Sequence, residues 1–374
     1  MWRYKWISLP HLIFDDECIP GSDGSVGHDK LVKIVNHVLI MHRGPILTFK
    51  ISSSHLKTCS EIDSWICSLS LNSLTEFQLQ ISKSSNCHSL LPSLFSFKQL
   101  IHLTLVRCII VPPLAFKGFS CLKSLFFQEV TLSDTTLKCL VSSCPELQRL
   151  TLIDIDGPTH IELSNPQLKY LCVSGKFIHI CLIDLKLLVD AHFTATTESS
   201  PDQPKTCNFS NSLGSLLGIQ ELYFGRYFLK SLAVSDVTRR LPYTFDHLKK
   251  ISFPINTEDM KEILVAICLL NSSPNLHELK IWLWHDRESA ILPIMDLQEA
   301  KDQLKSTFNK LRVVDISDAL GTEIELLLIK FVLANSPVLE TMKISHAIED
   351  TNKVFTLLKE LLQFKRASPQ AKIV

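Results

Sequence analysis

One six-residue phrase recurs along the chain: apolar, two variable, apolar, one variable, apolar. Its second half alternates apolar and polar, which predicts a strand with one buried face at each occurrence. It reads Ile46-Phe49-Ile51, Leu74-Phe77-Leu79, Leu100-Leu103-Leu105, Leu122-Leu125-Phe127, Leu147-Leu150-Leu152, Leu168-Leu171-Val173, Ile219-Leu222-Phe224, Leu248-Ile251-Phe253, Leu276-Leu279-Ile281, Leu311-Val314-Ile316 and Leu339-Met342-Ile344. The eleven starts are separated by 28, 26, 22, 25, 21, 51, 29, 28, 35 and 28 residues. The step of 51 predicts one degenerate unit inside it, around Phe177-Ile178-His179-Ile180.

A second pattern fills the gaps between phrases. After Ser133-Asp134 an apolar body runs from Leu137 to Val141 and stops at Ser142-Ser143-Cys144-Pro145. After Thr257-Glu258-Asp259 it runs from Ile263 to Leu270 and stops at Asn271-Ser272-Ser273-Pro274, and after Thr322-Glu323 from Ile324 to Leu333, stopping at Asn335-Ser336-Pro337. A hydroxyl cap, early carboxylates at the positive end of the helix dipole and a closing proline predict return helices. A unit of this kind exposes too much apolar surface to stand alone and must stack on its neighbours. The fold class is therefore α/β, a leucine-rich-repeat solenoid with a curved parallel sheet on the concave side and helices on the convex side, since most steps lie in or near the 20 to 29 residues of such repeats. Cys108 and Asn256 fall at the ninth position of their phrases, where these repeats bond the turning backbone, whereas Val130 and Ile155 do not keep the rule.

Two segments break the rhythm and predict surface loops: residues 15–30, rich in acids and glycine, and residues 190–215, rich in Ser, Thr, Pro and Asn. The acids of the first lack any calcium-loop spacing, so no metal is assigned to them. Lys plus Arg and Asp plus Glu are both 38, leaving no bulk charge to recruit nucleic acid or an anionic membrane. Glycine is only 11 of 374, which argues against glycine-rich phosphate loops, and the twelve cysteines form no C-x-x-C pair for zinc or redox chemistry. No apolar run reaches the roughly 20 residues of a membrane helix, and the start lacks a signal h-region. These features predict a cytoplasmic or nuclear protein in a reducing compartment, with no cofactor. No catalytic residue is assigned: H-E-x-x-H, G-x-S-x-G, a Walker loop and G-x-G-x-x-G are all missing, and Cys87-His88 are sequence neighbours that seldom face each other.

Trp2-Arg3-Tyr4-Lys5-Trp6, followed by Leu9-Pro10-His11-Leu12-Ile13-Phe14-Asp15-Asp16, resembles the end of an F-box and the first repeat strand after it. Phe331 to Met342, with Asn335-Ser336-Pro337, and then Leu357 to Pro369, with Leu361-Leu362-Gln363-Phe364-Lys365-Arg366-Ala367-Ser368-Pro369, resemble an FBD module. The whole chain is thus similar to the plant F-box/FBD/leucine-rich-repeat proteins. The resemblance implies three parts: residues 1–6 as a remnant of the F-box end, 7–296 as irregular repeats, and 297–374 as an FBD module of terminal repeats and cap. It also implies the substrate-recognition part of an F-box type ubiquitin-ligase receptor. The helical F-box that docks a cullin-RING adaptor should precede Trp2, so that partner is expected only if an F-box lies upstream. Within the FBD region, Phe355, Leu358, Leu361 and Leu362 form an apolar helical stripe predicted to cover the last repeat.

Candidate partner-binding residues are the variable positions of the phrase, which point away from the core: Lys50, Gln78, His102, Phe126, Arg149, Tyr170, Tyr223, Lys280, Trp282 and Trp284. Arg149, Tyr170, Tyr223, Lys280, Trp282 and Trp284 are the favoured set, because exposed aromatics beside cations dominate interface energetics. Trp282 and Trp284 alternate with Ile281 and Leu283, so both indoles face outward if the strand runs that far. Two function classes remain open: a non-catalytic module that holds a target protein, its identity unspecified, on the concave face, and a hormone-like small-molecule sensor on the same face. The basic residues are spread over many repeats rather than gathered into one floor, which favours the first.

Overall fold

The computed structural model describes residues 5–21, 24–177, 179–195, 210–226, 228–234, 241, 243–285, 307–348 and 350–374. The chain forms two compact units, one built mainly from residues up to 177 and one from residue 188 onward. In the first, strands β1 (His11–Phe14), β2 (Thr48–Ile51), β3 (Glu76–Gln80), β4 (His102–Val106), β5 (Ser124–Gln128), β6 (Arg149–Ile153) and β7 (Tyr170–Gly175) lie side by side in sequence order. In the second, β8 (Asp190–Ala195), β9 (Glu221–Phe224), β10 (Lys250–Asn256), β11 (Glu278–Trp284), β12 (Val313–Ala319), β13 (Thr341–His346) and β14 (Lys372–Ile373) do the same. The pairings are parallel, for example Leu125 with Leu150 and Leu279 with Val314.

The second and third apolar positions of all eleven phrases lie on these strands, the first just before, and all of them except the half-buried Ile344 belong to the core. Leu103, Leu125, Leu150, Leu279 and Met342 are each at most 1% exposed. Phenylalanines continue the stack: Phe49 lies 6.1 Å from Phe77 in one unit, and Phe193 6.3 Å from Phe224 in the other. The ninth-position residues serve the turn after the strand. Cys108 Sγ sits 3.6 Å from the Val106 carbonyl, and Asn256 Oδ1 accepts the Glu258 N–H at 3.0 Å.

The strands are linked by helices that include α1 (Gly24–Met41), α2 (Glu61–Ser70), α3 (Asp134–Ser142), α4 (Phe228–Val234), α5 (Met260–Asn271), α6 (Glu323–Asn335) and α7 (Thr351–Gln363). Ser133 caps α3, Asp259 caps α5, and Thr322 with Glu325 forms a capping box on α6. Glu262 and Glu325 hold equivalent places in the first turns of α5 and α6, and both are buried. Glu262 accepts the Asn256 N–H at 2.9 Å, while Glu325 Oε2 accepts those of Leu320, Gly321 and Thr322 at 2.7 to 3.1 Å. Each carboxylate thereby satisfies backbone donors where a strand turns into its helix.

Several expectations are corrected here. Residues 24–30 are the start of α1 rather than loop, because Leu31 and Val35 bury one face of the helix and override the glycines. At Gly27 a Cβ would lie 2.6 Å from His55 Nδ1, so the absence of a side chain lets that ring close on the helix. The missing unit in the 51-residue step is Leu188-Ala191-Phe193 on β8, so residues 190–195 are strand, not loop; Ala191 at the middle apolar position had weakened the phrase. Residues 210–216 are helical turns, and residues 196–209 lie outside the described residues. On α7 the covering face is Leu357 and Leu361, flanked by the half-buried Val354 and Phe364. Phe355, Leu358 and Leu362 are exposed, at 70%, 51% and 74%. Both faces of α7 are apolar, and the buried Leu357 lies beside Gly321 in the turn before α6.

Candidate interaction face

Because strand side chains alternate, the residues between the core positions form rows across each sheet on the face away from the core. In the second unit one row runs Asp190, Glu221, Lys250, Glu278, Val313, Thr341, Lys372. The next runs His192, Tyr223, Ser252, Lys280, Asp315, Lys343. Trp282 and Trp284 stand further along β11, which continues to residue 284, so both indoles do lie on the outward face, half-buried.

The aromatic groups gather. Tyr223 meets Trp282 edge to face with ring centroids 5.9 Å apart, and His192 lies 5.4 Å from Tyr223. Arg226, just beyond β9, places its guanidinium 4.9 Å from the centre of the Trp284 ring, a cation held over a ring face. Behind this face, His285 Nε2 lies 2.8 Å from the buried Glu325 Oε1, tying the end of β11 to α6.

Charges on the face are mostly paired. Lys250 Nζ sits 3.8 Å from both Glu221 and Glu278, Lys280 Nζ is 3.2 Å from Glu278, and His192 Nε2 is 3.0 Å from Asp190. Such partly exposed pairs contribute little stability, ~0 to 1 kcal/mol each, but they set where the side chains stand.

In the first unit Arg149 and Tyr170 form a separate patch, the guanidinium 4.2 Å from the ring centre. Tyr223, Lys280, Trp282 and Trp284 share one face of the second unit, so the six favoured residues fall into two patches, one per unit. The sequence reading missed Asp190 and His192, which sat in a stretch assigned to loop, although the alternation of Asp190-Ala191-His192-Phe193 carried the strand signal. It also missed Arg226, whose reach to Trp284 crosses two strand spacings and leaves no local pattern.

Stacked parallel strands of about 25 residues' spacing, each carrying the apolar core phrase and connected by return helices, 3-10 turns or short strands, define a leucine-rich-repeat protein. Residues 62–281 match the family model described as the LRR repeats of FBD-associated F-box protein At5g56370, and residues 308–344 match the FBD family model. The chain is similar to "F-box/FBD/LRR-repeat protein At1g13570" of Arabidopsis thaliana, 34% identical over all of this chain and 90% of that protein. It is also similar to "Probable FBD-associated F-box protein At1g32375" of Arabidopsis thaliana, 25% identical over all of this chain and 92% of that protein. This chain belongs to the plant F-box/FBD/LRR-repeat family. The FBD match covers β12, α6 and β13, which repeat the strand and helix arrangement of β10, α5 and β11. Among the described residues no helix is long and apolar enough to cross a membrane.

Proposed function

We propose that this chain is a non-catalytic protein-interaction module, the substrate-recognition part of an F-box type ubiquitin-ligase receptor, and that it holds its target on the outward face of its strands. The observation that carries the reading is the contact of Tyr223 with Trp282 on that face. Large amphipathic rings held by packing contribute contact area at a small entropic cost, which is why aromatic residues and arginine concentrate in binding hot spots. The family supplies the ligase context, since the relatives are named F-box proteins. Arg149 over Tyr170 provides a second place of contact in the other unit.

The test is proximity labelling in plant cells, comparing the wild-type chain with the Tyr223→Ala/Trp282→Ala double variant and with a convex-side control, Lys138→Ala. The double variant should lose a defined set of labelled proteins that the control keeps, with both variants melting within a few degrees of wild type. An unchanged labelling set would reject the outward face as the site.

A further inference from the structure

Three cations come together where strands β5, β6 and β7 of the first unit begin. Arg149 opens β6 between Ser124 on β5 and Tyr170 on β7, each in register with it. Lys123 and Lys169 stand one residue before β5 and β7, and the backbone holds them beside Arg149. The Lys123 carbonyl accepts the Gln148 and Arg149 N–H groups at 2.9 Å, and the Gln148 carbonyl accepts those of Lys169 and Tyr170 at 2.9 and 3.0 Å. All three cations are exposed. Among the described residues none of them has a carboxylate at ion-pair distance, whereas Glu129 is taken by Arg107 at 2.6 Å and Glu162 by Lys138 at 2.7 Å. The outward positions of β4 to β7 hold no acidic residue. Glu146, in the turn before β6, is exposed and pairs with none of the three. Like charges on adjacent strands repel, so the cluster works against the stability of the fold until an anion joins it.

Geometry and charge define which anion fits. Neighbouring strands lie about 4.8 Å apart, so the backbones of Lys123 and Lys169 stand roughly 10 Å from each other with Arg149 between them. Flexible four-carbon stems bring both ammonium groups within reach of one anion beside the guanidinium. The Arg149 guanidinium is held 4.2 Å from the centre of the Tyr170 ring, which limits its freedom without consuming its N–H donors. Its planar fork matches two phosphoryl oxygens, and a phosphorylated side chain carries a charge of about −1.5 to −2, against −1 for a carboxylate. Three unpaired cations therefore suit one phosphoryl group better than an aspartate or a glutamate. A soluble polyphosphate would bring several such groups and leave most of their charge unmatched.

We propose that this cluster takes a phosphorylated side chain of the target protein. Arg149 donates to two phosphoryl oxygens through its fork, and Lys123 and Lys169 close on the remaining charge from either side. Recognition by the first unit then depends on prior phosphorylation of the target. Lys123 and Lys169 precede their strands, so they fall outside the variable positions of the phrase, and only the pairing of β5, β6 and β7 gathers them around Arg149. This inference rests on the outward strand face being the target-binding surface, as proposed above, and adds the chemistry of what the first unit binds there.

The experiment is fluorescence anisotropy on the folded full chain with three degenerate peptide pools, identical except for a central phosphoserine, serine or glutamate. The phosphoserine pool should bind at least about tenfold more tightly than the serine pool and more tightly than the glutamate pool, with the gap narrowing as salt rises. Arg149→Lys, which keeps the charge and loses the fork, should weaken phosphoserine binding at least about threefold, and Lys123→Glu/Lys169→Glu should abolish the preference. The convex-side control Lys138→Ala should keep it, and all variants should melt within a few degrees of wild type. Equal binding of the phosphoserine and glutamate pools would reject phosphoryl recognition, and a preference that survives the charge reversal would reject this cluster as the site. Inorganic tripolyphosphate binding as tightly as the phosphoserine pool would reject the peptide as the source of the phosphoryl group. No binding to any pool would overturn the inference outright. Each of these results leaves the contact of Tyr223 with Trp282 standing, since that pair lies in the other unit and is tested separately by the labelling comparison.

Discussion

Tyr223 and Trp282 touch edge to face, 5.9 Å between centroids and 72° between ring planes, although a whole strand, β10, lies between the strands that carry them. Two strand spacings amount to about 9.6 Å, so the rings must lean toward each other. On β10 the intervening outward positions are Ser252, in register with Tyr223, and Pro254, in register with Trp282, and neither carries a long side chain to hold the rings apart. Ser252 is only 6% exposed although it sits on the outward face.

A bulky residue at that position should separate the rings. Ser252→Phe is expected to shift the tryptophan emission and to reduce target binding, with a stability loss of about 1 to 3 kcal/mol from overpacking. Unchanged emission and binding would mean that the ring contact does not depend on Ser252.

The inward and outward positions of one strand should respond very differently. Leu150→Ala is expected to cost about 2 to 5 kcal/mol by opening a cavity in a fully buried site. Its neighbour Arg149, which contributes an exposed cation over Tyr170, should cost no more than about 1 kcal/mol on substitution by alanine. Chemical denaturation of the two variants measures both. A similar loss in each would contradict the observed register.

Gly118 is required by its backbone as well as by its surroundings. It has φ +95°, and a Cβ there would collide with the carbonyl oxygen of Ser143, at the end of α3. Gly118→Ala should therefore destabilise by more than about 1 kcal/mol, whereas Gly21→Ala, with φ +68° and open space around the added carbon, should show only the conformational part of that cost. The difference between the two melting curves isolates the collision.

The two faces of α7 make a matched pair. Leu361→Ala should lower stability by about 2 to 4 kcal/mol because the side chain is buried at 3%. Phe355→Ser should be nearly neutral, within about 0.5 kcal/mol, since it is already 70% exposed. Equal losses would restore the wider stripe that the sequence suggests.

Cysteine reactivity should sort by burial. Burial pushes the Cys59 thiol up to about 11 and also raises Cys108 and Cys144, so near pH 8 each holds less thiolate than an ordinary thiol. Exposed Cys18, Cys67, Cys121 and Cys139 should alkylate first, and Cys108, Cys144 and Cys268 only on unfolding. Mass spectrometry of timed iodoacetamide labelling reads the order directly, and early labelling of Cys108 would contradict its place in the core.

Most of the repeat, the strand register and the helix caps at Ser133 and Thr322 were legible in the amino-acid sequence, because each depends on residues a few positions apart, whereas the helix after β10 is capped by the Asp259 carboxylate rather than by the expected hydroxyl. Leu147-Leu150-Leu152 declares a half-buried strand by its own spacing, and Thr322 with Glu325 declares a helix start within one turn. Where local pattern was ambiguous, tertiary contact chose. The apolar residues of α7 suit either of two faces, and the fold buries Leu361 and Leu357, the latter beside Gly321. The strand at Asp190–Ala195 was hidden by one alanine and became definite through its pairing with β9. Glu325 looks like a surface acid in sequence, yet it is buried because three backbone N–H groups and His285 converge on it. The candidate face belongs to the same class. Tyr223 and Trp282 are 59 positions apart in the chain, and what brings their rings together is the stacking of repeats across a strand that presents Ser252 and Pro254 between them, a relation that no local spacing encodes.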